Sequence, residues 1–165
     1  MYGNYLFGEP SSLSLLISKY IKGNWKIIPG DGTKVGNYVF VDDVVSGHML
    51  AMKNGKKGET YILGGENYSY NGFFVVLKEV SGIDHKLIKT PIWTQMIFAR
   101  LNKFFSLLMG KKPDITTKWV RRGNYHWEVD PSKSVRDLGV VITPLREGIR
   151  TVSYTHLTLP TILRV

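Results

Sequence analysis

The chain has 165 residues, 43% of them apolar, with seven prolines and no cysteine. That suits one globular domain or a piece of one, and it excludes a disulfide framework, a thiolate metal site and a cysteine nucleophile. The net charge of +9 comes from dispersed lysines and arginines with only small clusters, at Lys53, Lys56 and Lys57, at Lys111 and Lys112, and at Arg121 and Arg122. No concentrated basic stripe or recognisable motif accompanies it, so no nucleic-acid partner is expected. The dispersed charge reads first as a solvated basic surface; a second reading is that some of it attracts anionic, phosphorylated ligands.

Apolar residues at 13, 16, 17, 20 and 21 predict an amphipathic helix, capped by Ser11 or Ser12 and stopped by Gly23. Asp31-Gly32 is a turn dipeptide joining the segment 25–28 to Val35 as a hairpin-type connection. The surrounding Gly30, Gly32 and Gly36 superficially resemble a phosphate-binding loop. Such a loop follows a strand and opens a helix, whereas this cluster leads into residues 37–41, a β-branched and aromatic run. A structural turn is therefore predicted. Residues 37–41 predict a strand buried on both faces, with Asp42 or Asp43 capping the helix that follows. Val44, Val45, His48, Met49 and Met52 recur at helical spacing, His48 reading as a packed core histidine, and Asn54-Gly55 ends the helix. Residues 60–63 predict a second strand ended by Gly64-Gly65, which completes a βαβ unit with parallel strands.

Residues 71–80 predict a helix with Phe73, Phe74, Leu77 and Val80 on its apolar side, and residues 87–92 a short edge strand containing Pro91. The segment 93–109 is the least usual. Trp93, Ile97, Leu101, Phe104 and Leu108 form one helical stripe, widened by Phe98, Phe105 and Met109, with Arg100 and Lys103 beside it. Three readings stand: a core helix, a wall of a substrate pocket, or a helix lying at a membrane surface. Beyond it, residues 115–122 predict a helix, 127–129 a strand, and 130–138 a helix stopped by Gly139, before Pro144 opens the last one. His48, His85 and His126 are never paired at ligand spacing, so no metal site is expected. Adjacent Asp42 and Asp43 point different ways and favour capping over acid–base work. The opening residues lack the pattern of a secretory signal and no apolar run reaches spanning length, so cytoplasm is the expected location.

The residues NYVFVDDVVSGHMLAM and GETYILGGEN resemble the C-terminal half of extended short-chain dehydrogenases/reductases, nearest the NAD-dependent epimerase/dehydratase group with dihydroflavonol-4-reductase-like members. Met1-Tyr2-Gly3 sits where that family has its xYGPG turn, though Asn4-Tyr5 replaces the usual Pro-Gly. His126-Trp127-Glu128-Val129-Asp130, Ser132-Lys133, Asp137-Leu138-Gly139 and the run from Thr143 to Gly148 follow its closing pattern. The resemblance spans residues 1 to about 151. It implies an α/β fold: the C-terminal part of a Rossmann-type parallel sheet plus a small α/β substrate-binding lobe, truncated. It implies a small-molecule substrate and NAD or NADP as cofactor of the intact protein, and leaves a homodimer of that protein open. Tyr2 and Gly3 are the implied cofactor-binding residues, and Asn37 and Tyr38 the substrate-binding ones.

Family members act through a Ser and a Tyr-x-x-x-Lys, and in this chain no Tyr has Lys four positions later. The catalytic groups and the dinucleotide turn are thus expected upstream of Met1, with no catalytic residue here and this chain inactive alone. The alternative is a non-catalytic binding or membrane-surface-associated module. Residues 152–165 are set apart as a non-native tail, because the run from Val152 to Thr161 back-translates to a sequencing-library adapter and the family likeness stops at the same place.

Overall fold

The computed structural model describes residues 2–3, 11–108, 110 and 117–162, with backbone alone for 108, 119 and 154–162. Residues 4–10, Asn4 and Tyr5 among them, and Met109, Lys111, Lys112 and Ile115 lie outside the described residues. In chain order the elements are α1 (Ser12–Ile21), β1 (Ile27–Pro29), β2 (Val35–Tyr38), α2 (Val41–Asn54), β3 (Glu66–Ser69), α3 (Tyr70–Ser81), β4 (Ile88–Thr90), α4 (Ile92–Leu108), α5 (Thr117–Arg122), α6 (Ser132–Leu138) and α7 (Leu145–Ile162).

The architecture is α/β. β1 pairs in parallel with β4, Ile28 opposite Lys89, and a parallel bridge joins Tyr2 to Phe40. β2 pairs antiparallel with β3, Asn37 opposite Asn67. Helices α1, α3 and α7 pack together over a core of Tyr2, Ile17, Tyr20, Phe73, Leu77, Leu145, Ile149 and Val152, all essentially without exposure. The core is strongly aromatic. Tyr38 stacks on Phe73 with ring centroids 4.8 Å apart, and Phe73 meets Phe74 edge-on at 5.4 Å.

Local signals explain the helix ends. Ser11 caps α1 by accepting from the Ser14 amide (3.1 Å), and Ser69 caps α3 through the Gly72 amide (3.1 Å). Gly82, at φ 68°, and Gly139, at φ 78°, close α3 and α6 in the left-handed conformation that glycine adopts without strain.

Several expected elements come out differently. The segment 60–63 forms no ladder. Its carbonyls are taken by side chains of α6: Lys133 Nζ donates to Thr60 O (2.9 Å) and Ser134 Oγ to Ile62 O (2.6 Å). Leu63 presses against α2 at Gly47, where a Cβ would come within 2.7 Å of Leu63 Cδ2. The parallel βαβ unit is accordingly not closed by these two segments, and β2 takes β3 as its partner. The strand at 37–41 also begins and ends earlier, at Val35 and Tyr38. Asp31 Oδ1 accepts from the Thr33 amide (2.9 Å), so residues 30–32 do form a turn, but β1 and β2 belong to different sheets and no hairpin results. Trp127 makes only an isolated bridge to Gly36 in place of a strand.

Helix α2 starts one residue before the acidic pair, with Phe40 at the cap position, so neither aspartate caps it. Its expected apolar face also turns outward: Val45, Met49 and Met52 are exposed, Met52 at 89%. His48 is likewise exposed, its Nδ1 2.6 Å from Val44 O, and is not a core histidine. The side of α2 that packs inward carries Asp43 and Gly47. At the other end of the chain, α7 runs through residue 151 to Ile162, and Val152 is fully buried.

Candidate functional site

Two regions bear on function: the junction holding the four residues singled out above, and a cleft on the side of α1, β1 and α4.

At the junction, the Tyr2 amide donates to Val39 O (3.0 Å) and Tyr2 O accepts from the Val41 amide (2.7 Å). The Tyr2 ring lies edge-on to Phe40 at 5.6 Å, and its hydroxyl donates to Leu145 O (3.5 Å). Gly148 gives the ring its space, since a Cβ there would overlap the phenol. Burial, reinforced by the carboxylates of Asp43 and Glu66, pushes the Tyr2 hydroxyl far above its ordinary pKa. It stays neutral and cannot act as a poised proton donor. The next residue, Gly3, exchanges hydrogen bonds with Ser14, its amide donating to Oγ (3.3 Å) and its carbonyl accepting from Oγ (3.1 Å). A side chain at Gly3 would overlap Val41 Cγ1, so the chain passes here only as glycine.

On β2, Asn37 is saturated: Nδ2 donates to Gly65 O (2.8 Å) and Asn67 Oδ1 (2.9 Å), and Oδ1 accepts from the Gly65 amide (2.9 Å). Asn67 in turn donates to Val129 O (2.9 Å), so two asparagines tie β2, β3 and the 129 segment together. Tyr38 faces the core, and burial raises its hydroxyl pKa as it does that of Tyr2. The structure thus gathers Tyr2, Tyr38 and Phe40 into one cluster, with Gly3 and Asn37 at its edges.

The acidic residues beside this cluster hold α7. Asp43 accepts from the Thr143 amide (2.8 Å) and hydroxyl (2.7 Å), and Glu66 accepts from the Leu145 amide (2.6 Å), meeting one of the orphan donors of the helix start. Asp43 thus serves the start of α7 in place of the expected cap on α2.

The cleft, of about 640 Å³, is walled by α1 (Leu15, Leu16), by Trp25 and Ile27, and by α4 (Gln95, Phe98). Lys19 and Lys26 supply positive charge to an otherwise largely apolar lining. Gln95 Nε2 donates to Thr90 O and Thr90 Oγ1, both at 2.8 Å, which fixes α4 to the end of β4. None of Tyr2, Gly3, Asn37 and Tyr38 lines it. Gln95 and Phe98 lie in the segment 93–109, for which a pocket wall was one of three readings; sequence reasoning missed Leu15, Leu16, Trp25 and Ile27 because they come from segments far away in the chain. The helical stripe containing Phe98 was the only local signal.

Residues 1–64 match the family model described as the NAD dependent epimerase/dehydratase family. Over those residues the chain is similar to that family, and its α/β arrangement agrees with the match. Among relatives, a "Putative dihydroflavonol 4-reductase" from Synechocystis is 29% identical over 117 residues, 68% of this chain and 34% of that protein. The "3beta-hydroxysteroid-dehydrogenase/decarboxylase isoform 1" of Arabidopsis thaliana is 30% identical over 171 aligned positions, 92% of this chain and 39% of that protein. Among solved structures, a UDP-glucose 4-epimerase of Thermotoga maritima with UDP-glucose superposes with a TM-score of 0.64 at 26% identity, covering 96% of this chain and 44% of that one. The chain therefore spans between about a third and under a half of the length of these proteins.

Proposed function

We propose that this chain is the substrate-binding part of an NAD(P)-dependent oxidoreductase or epimerase whose acid–base tyrosine and lysine lie outside it. The observation that carries the reading is a pairing of presence and lack. The family match occupies residues 1–64, yet no Tyr-x-x-x-Lys occurs anywhere in the sequence. The two buried tyrosines at the candidate site, Tyr2 and Tyr38, are held neutral instead. In the whole enzyme a bound nicotinamide would supply hydride transfer, and a tyrosine beside a lysine would supply the proton.

In this reading Tyr2 and Gly3 stand beside the parallel bridge to Phe40, and ligands of open α/β sheets collect outside the carboxyl ends of parallel strands. Tyr2 and Gly3 border the cofactor, NAD or NADP, and Asn37 and Tyr38 border the substrate. They act as wall rather than as reaching groups: Asn37 is held by Gly65 and Asn67, and Tyr38 lies on Phe73. The cleft behind α1 takes a part of the substrate remote from the reacting carbon. The location is the cytoplasm, and residues 152–165 are foreign to the natural protein.

Two measurements test this. Isothermal titration of the chain with NADH and NADPH gives no binding at micromolar concentrations; tight binding or redox turnover by the chain alone overturns the proposal. Reading the intact gene shows a glycine-rich turn and a Tyr-x-x-x-Lys in frame ahead of Met1, and a different continuation after Thr151.

A further inference from the structure

Helix α4 is turned inside out. Gln95, Ala99, Asn102 and Ser106, its small and polar side, face the protein: Ala99 is fully buried, and Ser106 Oγ donates to Asn102 Oδ1 (3.0 Å) within that face. The opposite side carries Trp93, Ile97, Leu101, Phe104, Phe105 and Leu107, all half-exposed or more, with Trp93 at 67% and Leu107 at 70%. Soluble proteins bury such a stripe. Six large apolar side chains along a helix of 17 residues, about 25 Å long, make a patch of the kind that marks an interaction surface.

The charge around the stripe says what covers it. α4 and α5 together carry five Lys or Arg and no acidic residue. Arg100 and Lys103 lie along one edge of the stripe, and Lys118 and Arg121 are exposed on α5, which packs against α4. A second copy of the chain would bring these positive edges together, like against like. An anionic lipid surface meets both requirements at once: its acyl boundary takes the aromatic and aliphatic groups, and its headgroups take the lysines and arginines. Among the described residues no helix is long and apolar enough to cross a membrane, so α4 would lie along the surface.

We propose that α4 docks this protein on anionic bilayers, with Trp93, Ile97, Leu101, Phe104 and Phe105 seated at the headgroup–acyl boundary and Arg100 and Lys103 on the phosphates. The docked helix also supplies Phe98 to the cleft, so an apolar ligand drawn from the bilayer would enter beside it.

Flotation on a density gradient tests the proposal, because bound protein rises with the vesicles while aggregates sink. The full chain is mixed with vesicles of phosphatidylcholine alone or of phosphatidylcholine with phosphatidylglycerol. It rises with the anionic vesicles only. Arg100→Gln with Lys103→Gln weakens partitioning by about 25-fold, roughly fivefold per charge, and Phe104→Ser with Phe105→Ser by more than about tenfold. Val141→Ser, at an exposed apolar residue away from α4, leaves it unchanged. Four results overturn the proposal: no flotation, equal loss in the Val141 variant, self-association that Phe104→Ser abolishes without any vesicle binding, or failure of the longer protein from the same gene to float.

Discussion

Asp42 and Asp43 are neighbours of the same chemistry at the start of α2, and the structure assigns them unequal work. Asp43 is 8% exposed and receives the Thr143 amide at 2.8 Å and the Thr143 hydroxyl at 2.7 Å. Replacing it by Asn removes the charge and turns an amide N–H toward one of those donors. Each charge-assisted hydrogen bond contributes about 1.5–3 kcal/mol, and the surviving acceptor recovers part, so Asp43→Asn costs about 2–4 kcal/mol. The loss propagates, because Thr143 leads into α7, whose Leu145, Ile149 and Val152 are fully buried. Asp42 is exposed, and its carboxylate contributes only to the favourable end of the helix dipole, about 0.3–1 kcal/mol. Urea unfolding followed by tryptophan emission and far-ultraviolet dichroism compares the two variants. Amide exchange at Thr143 and Leu145 rises in the Asp43 variant alone. Equal destabilisation by the two substitutions, or a loss below about 0.5 kcal/mol at Asp43, refutes the assignment.

Two glycines of α2 and α3 separate crowding from backbone strain. Gly47→Ala drives a Cβ into Leu63 (2.7 Å to Cδ2) and costs about 1–3 kcal/mol, whereas Gly82→Ala meets open space and costs only the left-handed conformation at φ 68°, about 1 kcal/mol. Thermal melts of the two variants rank them in that order. The tyrosines set an alkaline limit. Tyr2 and Tyr38 have folded pKa values raised above the ordinary 10.0, so their contribution to stability is fully present below about pH 10 and is lost as pH climbs from there toward the folded values. Ultraviolet titration at rising pH shows these two phenols ionising only as the chain unfolds, and Tyr38→Phe makes the alkaline decline of stability shallower.

Helix positions were legible because they rest on local chemistry. Ser11, Ser69, Gly82 and Gly139 bring their own caps and stops, and the 3.6-residue period of Phe73, Phe74 and Leu77 is visible in any window. The family resemblance was legible from the stretch around residues 37–67, most of which falls within the span that the family model matches. What a local pattern could not reveal was direction and partner. Val45, Met49 and Met52 have the spacing of a buried face and lie exposed, because apolar periodicity identifies a face without saying what covers it. The segment 60–63 has the composition of a strand, but a ladder needs a neighbouring backbone, and here the side chains of Lys133 and Ser134 reach its carbonyls first. The cleft was invisible for the same reason, its walls lying some eighty residues apart from Leu15 to Phe98. By itself the sequence determined the family resemblance, the helices and the lack of a catalytic tyrosine–lysine pair, all carried by adjacent or regularly spaced residues. Only the tertiary structure decided that Asp43 holds α7, that Tyr38 faces inward and that α4 faces out, because each depends on contacts between residues that the chain itself keeps apart.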